Sequence, residues 1–213
     1  MNRFKCLFGI LLTTLFLLGA CFAFADKPFL MPIADVFSIA GRGTIVTGIV
    51  ERGEVVVGQE IELIGLGETR KVIVSGIQMS PNKDTSRAKA GDNVGLLLRG
   101  IDKSVVKRGQ VLVKVGSVKL AMQFKATVHM LTAAEGGRQA AISSGYRPLI
   151  FIRTSEVTGV LSLPKGPDAL QPGANASVTI QLNDATALEQ GLKFSFREGS
   201  KITGTGVVEK LLN

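Results

Sequence analysis

The chain has 213 residues, 46% hydrophobic and 20% charged, a composition that excludes a disordered chain and leaves room for one or two folded domains. Its formal charge is +8; removing the first 25 residues takes away Arg3 and Lys5 and no acid, which leaves +6, an excess that suits RNA, anionic lipid or acidic protein surfaces without choosing among them. One histidine, His129, and two cysteines, Cys6 and Cys21, both ahead of the body of the chain, exclude a histidine-based triad, a disulfide framework in the body and a Cys/His metal cluster.

Residues 1–25, MNRFKCLFGILLTTLFLLGACFAFA, carry two basic residues, an apolar run from Leu7 to Leu18 and then small residues, the tripartite layout of a secretory signal peptide. Ala23-Phe24-Ala25 before Asp26 is an A-x-A cleavage site, and it fits that layout directly. Leu18-Gly19-Ala20-Cys21 resembles a lipobox, which would shorten the signal to residues 1–20 and acylate Cys21 as a lipid anchor. An uncleaved anchor from Cys6 to Ala25 is the third alternative, since that length just spans a bilayer. All three place the remainder outside the cytoplasm, in the periplasm, on the outer surface or secreted.

From Lys27 onward the pattern is all-β. Val36, Ile39, Ile45, Val46, Ile49 and Val50 are strand formers, and glycines at 41, 43, 48 and 53 interrupt them at hairpin intervals. In Gly41-Arg42-Gly43 two glycines let the chain reverse with Arg42 at the tip. Strands are expected at 29–39, 44–50, 60–64, 70–79, 93–99 and 110–114, with a long polar loop from Ser80 to Asp92. Short strands without a helical period between them favour a closed antiparallel barrel, because closure removes exposed edges. Lys114-Val115-Gly116-Ser117 is the expected linker. A second barrel follows, with strands at 123–131, 149–153, 158–163, 176–182, 193–197 and 202–211 and a long loop from Thr132 to Tyr146. In KATVHMLT, Ala126, Val128 and Met130 alternate with Lys125, Thr127 and His129, which puts the histidine on the polar face. The carboxylates at 51, 54, 60 and 62 and the pairs Arg70-Lys71 and Lys107-Arg108 are expected as solvated strand surface.

The stretch PIADVFSIAGRGTIVTGIVERGEVVVGQEIELIG, the later YRPLIFIRTSEVTGVLSLPKG and REGSKITGTGVVEKLL, and the Gly136-Gly137-Arg138 turn resemble the second and third domains of the bacterial elongation factor Tu family, GTPases that deliver aminoacyl-tRNA. The resemblance runs in order from about Asp26 to Asn213. It implies a translation-factor second-domain barrel over 26–116 and an elongation factor Tu C-terminal barrel over 117–213, two consecutive antiparallel β-barrels after a cleavable segment. It also implies an aminoacyl-adenosine pocket at Asp35, Phe37, Ile39, Thr47, Asn93 and Leu97, with Gln78 where the family has a glutamate against the terminal adenine. Phe37, Ile39 and Leu97 are equally what a barrel interior needs, so for these three the core remains an alternative. Arg138, Glu198 and Gly199 are implied as contacts to the tRNA stem backbone.

Departures from the family bear on that reading. Ala34 replaces an acid, Pro81 stands where an arginine follows the adenine-side residue, and the segment from Ser80 to Arg87 is unlike the family. After Arg138 the run is Gln139-Ala140-Ala141-Ile142-Ser143, where the family carries a histidine, a proline and two phenylalanines in a loop that lies against the GTPase domain, so Gln139 to Ser144 are expected to be released from that contact. No G-x-x-x-x-G-K-[ST] occurs to cradle phosphates, and Asn82-Lys83-Asp84 lacks the spacing of a guanine-reading motif. The expectation is a chain that is not a GTPase, needs no cofactor, metal or GTP, and binds a macromolecule: a host or envelope protein, or RNA. Its oligomeric state is left open.

Overall fold

The computed structural model describes residues 27–39, 41–79, 83–164 and 169–212. The signal-peptide alternatives and Cys21 therefore lie outside the described residues. The strands are β1 (Leu30–Pro32), β2 (Asp35–Ile39), β3 (Gly43–Ile49), β4 (Glu54–Val56), β5 (Glu60–Gly65), β6 (Glu68–Met79), β7 (Lys83–Thr85), β8 (Arg87–Lys89), β9 (Asn93–Arg99) and β10 (Val111–Lys114) in the first barrel. The second contains β11 (Lys119–Met130), β12 (Ile142–Ser143), β13 (Leu149–Ile152), β14 (Ser155–Ser162), β15 (Ala169–Leu170), β16 (Asn175–Leu188), β17 (Lys193–Glu198) and β18 (Lys201–Leu212).

The first sheet runs β1-β10-β5-β6-β9-β3-β2. The single strand expected over 29–39 is in fact two, and the break closes the barrel. Ile33 N–H donates to the Gln110 carbonyl at 3.0 Å and Ala34 N–H to the Thr47 carbonyl at 2.8 Å, so the chain changes partner from β10 to β3 within one residue. Pro32, with a fixed φ and no N–H, starts that corner. Gly48 receives it, because a Cβ there would overlap the Pro32 carbonyl and meet Met31 Cγ at 3.2 Å. The loop expected from Ser80 to Asp92 contains β7, paired with β6, and β8, paired with β4. Both are three-residue strands of polar sequence, too short for alternation to reveal. Inside, Phe29, Met31, Ile33, Val46, Leu63, Leu96 and Leu98 form the core.

The second barrel closes through hydrogen bonds in the order β11-β16-β14-β13-β17-β18. Phe124, Phe194 and Phe196 fill it, with Phe124 and Phe194 edge to face at 5.5 Å. β18 crosses those rings at Gly204 and Gly206, where any side chain would overlap Phe196 and Phe194. The Thr132 to Tyr146 loop is more ordered than expected: a 3₁₀ turn over Ala133–Glu135 opens with a capping box between Thr132 and Glu135, and β12 pairs with β15. His129 is half-buried, as the alternation predicts, with Nδ1 3.0 Å from Asn175 Oδ1.

Strands β1 and β10, and the end of β5 at Ile64, are buried on both faces. Leu30, Ile64, Val111 and Val113 point away from the first core and pack with Ala187, Val118 and Leu120 of the second barrel. Around this apolar seam Arg52 Nη1 donates to both Glu189 oxygens at 2.8 and 2.7 Å, and Arg153 Nη2 donates to Glu189 Oε1 at 2.5 Å. Arg153 sits in the hairpin between β13 and β14 with φ 55°, a left-handed conformation that an unbranched residue tolerates at a cost of about 1 kcal/mol. Its guanidinium is tied to Glu189 within the second barrel and to Glu51 across the seam.

Candidate ligand cleft on the first barrel

The side-chain phase of β2, β3 and β9 decides what this barrel shows to its surroundings. Val46, Leu96 and Leu98 point inward, so Asp35, Phe37 and Ile39, then Ile45, Thr47 and Ile49, then Asn93 and Leu97, share the outer face. Phe37 is 51% exposed, Ile39 41% and Ile49 59%. The interior alternative for Phe37 and Ile39 is thereby overturned, and Leu97, half-buried, also lies on the outward side. Pairing sets them in rows: Asp35 opposite Thr47, Thr47 opposite Gly95 and Gly95 opposite Gln78; Phe37 opposite Ile45 and Ile45 opposite Leu97.

These rows enclose a cleft of about 760 Å³ lined by Asp35, Phe37, Ile39, Thr47, Gln78 and Asn93 together with Ile45 and Ile49. Six of the seven residues named for this pocket therefore share one cavity. Leu97 lines an adjoining cavity of about 310 Å³ with Arg42, Asp84 and Thr85; Ile45, Gln78 and Gly95 border both. Gln78 Nε2 donates to Asp84 Oδ1 at 3.4 Å, so a carboxylate from β7 stands beside the amide. Among the described residues Asp35 is the only ionisable one lining the larger cleft. Among the described residues no hydrogen bond or ion pair takes up its carboxylate, the Thr47 hydroxyl or the Asn93 amide. The floor is low at Gly95, where a Cβ would stand between Ile45 and Thr47 on the outer face.

The second set of residues sits elsewhere. Arg138 and Glu198 line a separate cavity of about 670 Å³ on the second barrel with Gln139, Lys201 and Thr203. Arg138 is largely occupied: Nη1 donates to Glu198 Oε2 at 3.0 Å, Nε to the Ala140 carbonyl at 2.8 Å, and the guanidinium stacks 5.3 Å from the Tyr146 ring. Gly199 is exposed in the β17 to β18 turn with φ 60°.

Two carboxylates near this end titrate low. Glu135 is held below the usual range by the Thr132 backbone N–H and then the Thr132 hydroxyl. Glu209 is lowered by hydrogen bonds first from Thr127 and then from Ser177. Glu135 is exposed and Glu209 half-buried, and neither lines the first-barrel cleft.

Sequence reasoning missed Ile45 and Ile49 as cleft residues and Asp84 in the adjoining cavity, and it assigned Glu51 to solvated surface where the structure pairs it with Arg153. For Ile45 and Ile49 the signal was present, since they share the odd-numbered phase of Thr47. For Glu51 there was none, because its partner lies 102 residues away.

Residues 43–113 match the family model for elongation factor Tu domain 2, and residues 117–212 match the model for the elongation factor Tu C-terminal domain. The two matches fall in that order, one on each barrel. The chain is thus an elongation factor Tu-like tandem of domain 2 and the C-terminal domain, a pair of translation-factor β-barrels packed on one another.

Proposed function

We propose that this chain is an exported, non-enzymatic binding module that uses the outward cleft of its first barrel to hold a macromolecular partner. The observation that carries the reading is the cleft itself: three large apolar side chains stand exposed around hydrogen-bonding groups that have no partner among the described residues, and no core demands them there. Export is supported by the signal-like sequence of residues 1–25, with release after Ala25 or a lipid anchor at Cys21. The test is intact-mass and N-terminal analysis of the protein by cell fraction. Asp26 or an acylated Cys21 at the terminus supports export, and an intact Met1 in the cytosol ends it. GTP hydrolysis by the purified chain would end the non-enzymatic part.

A second reading, retained binding of an aminoacylated RNA end, is favoured by one observation: residues that match the family's aminoacyl-adenosine pocket line two adjoining cavities. Arg138, Glu198 and Gly199 would then meet the RNA backbone. Affinity that falls a decade or more between low and high salt supports this reading; a flat salt response removes it.

A further inference from the structure

Resting on the reading of the first-barrel cleft as a binding site, we infer that its partner is the free amino terminus of a polypeptide that begins with an apolar residue. The charge of the lining is the first reason. Among the described residues the cleft has no lysine or arginine, and its one ionisable group is the Asp35 carboxylate, which meets no cation. A phosphate brought there would find a negative neighbour and no counter-charge; an ammonium group finds an acceptor.

The order of groups along β2 is the second reason. Asp35, Phe37 and Ile39 lie at alternate positions on one face, so the cleft runs about 13 Å from carboxylate to aliphatic end at roughly 3.3 Å per residue. That length holds an amino-terminal ammonium at Asp35 and about three further residues in extended form. The Thr47 hydroxyl, directly across from Asp35, and the Asn93 amide are free to bond the first peptide group. Phe37, Ile45 and Ile49 supply apolar wall for the leading side chain. The low floor at Gly95 lets a backbone approach the sheet closely. Capture of a terminal amine beside apolar side-chain pockets is a recurring mode of peptide recognition.

An acylated RNA end is the competing partner. It would place phosphates near the mouth of a cleft whose own charge is acidic, which is why the peptide is favoured. Arg42 lines only the adjoining cavity.

The test measures binding of the full chain to three fluorescent probes at matched salt: a short peptide with leucine first and glycine and serine after it, the same peptide N-acetylated, and an adenosine-ended RNA oligonucleotide of similar length. The expected result is that acetylation weakens binding about tenfold or more, the loss that follows from removing a charged hydrogen bond. Asp35→Asn should weaken the free peptide by a similar factor and leave the acetylated one unchanged. Phe37→Ala should weaken both. Because both residues are exposed, unchanged thermal melting is the check that the variants fold.

If the two peptides bind equally and Phe37→Ala still weakens them, the cleft is a binding site that does not read an amino terminus, and this inference is overturned while the proposed function stands. If neither peptide binds and the RNA does, with loss on Phe37→Ala, the partner is RNA. If no probe responds to Phe37→Ala, the inference falls together with the reading of the cleft.

Discussion

Arg153 of the second barrel and Glu51 of the first are joined side by side, Nε to Oε2 at 2.7 Å and Nη2 to Oε1 at 3.3 Å. The same guanidinium reaches Glu189 and, through Nη1, the Ala187 carbonyl at 3.1 Å. Arg52 completes the chain of four charges from the other side. With a side chain only 5% exposed, Arg153 is the best-shielded member. Arg153→Ala leaves two carboxylates and a carbonyl short of a donor, so a loss of about 3 kcal/mol is expected in denaturant unfolding. Lysine there should recover only part of it, since an ammonium cannot reproduce the two-pronged geometry.

The coupling of Arg52 and Glu189 is separable from that loss. Arg52 is 11% exposed and Glu189 27%, so solvent screening is partial. A double-mutant cycle with Arg52→Met and Glu189→Gln should give a coupling of about 1 kcal/mol. Additive single effects would show that the apolar seam alone joins the barrels.

Core and cleft respond differently to truncation. Leu96→Ala removes a fully buried side chain from the first barrel and should cost about 3 kcal/mol. Phe37→Ala and Ile39→Ala, on the outer face, should change stability by no more than about 0.5 kcal/mol. A loss for Phe37→Ala as large as that for Leu96→Ala would return the residue to the core and remove the cleft.

At Gly204, β18 crosses close over the aromatic core of the second barrel. A Cβ there would overlap the Phe196 ring and lie 2.7 Å from the His129 carbonyl oxygen. Gly204→Ala should destabilise by about 2 to 3 kcal/mol, and Phe196→Leu in the same chain should restore part of that in thermal melts.

Acid should weaken the loop that Glu135 anchors. The Thr132 N–H and hydroxyl hold the Glu135 carboxyl below its ordinary value in the folded chain. A depressed folded pKa means that the unfolded chain binds more protons, so the stabilisation is present above the unfolded value of about 4.3 and is lost as pH falls through the folded one. Tm measured against pH should therefore drop in this acid range, with a shallower slope for Glu135→Gln. Parallel slopes for the two chains would contradict the assignment.

Much of this fold is visible in particular runs of sequence. VLV at 111–113 and LMPI at 30–33 are apolar without alternation because each strand meets a barrel core on one side and the seam on the other. Alternation in KATVHMLT placed His129 correctly. The phase of β2 was harder: DVFSI puts its aromatic residue on the same face as an aspartate, and only the pairing with β3 shows that this face is outward. Asp84 joins the cleft region through a three-residue strand that no pattern announces. The ties across the seam were not legible at all, since Arg52 and Glu189 stand 137 positions apart and meet only when both barrels are formed.

Leu30, Ile64, Val111 and Val113 stay dry only because Ala187, Val118 and Leu120 lie over them. Cutting the chain near Ser117 would therefore give two half-proteins with raw, water-repelling flanks, prone to clump or to re-find one another in trans. Dissecting this protein into separately expressed halves would report on those wounds before it reported on either barrel.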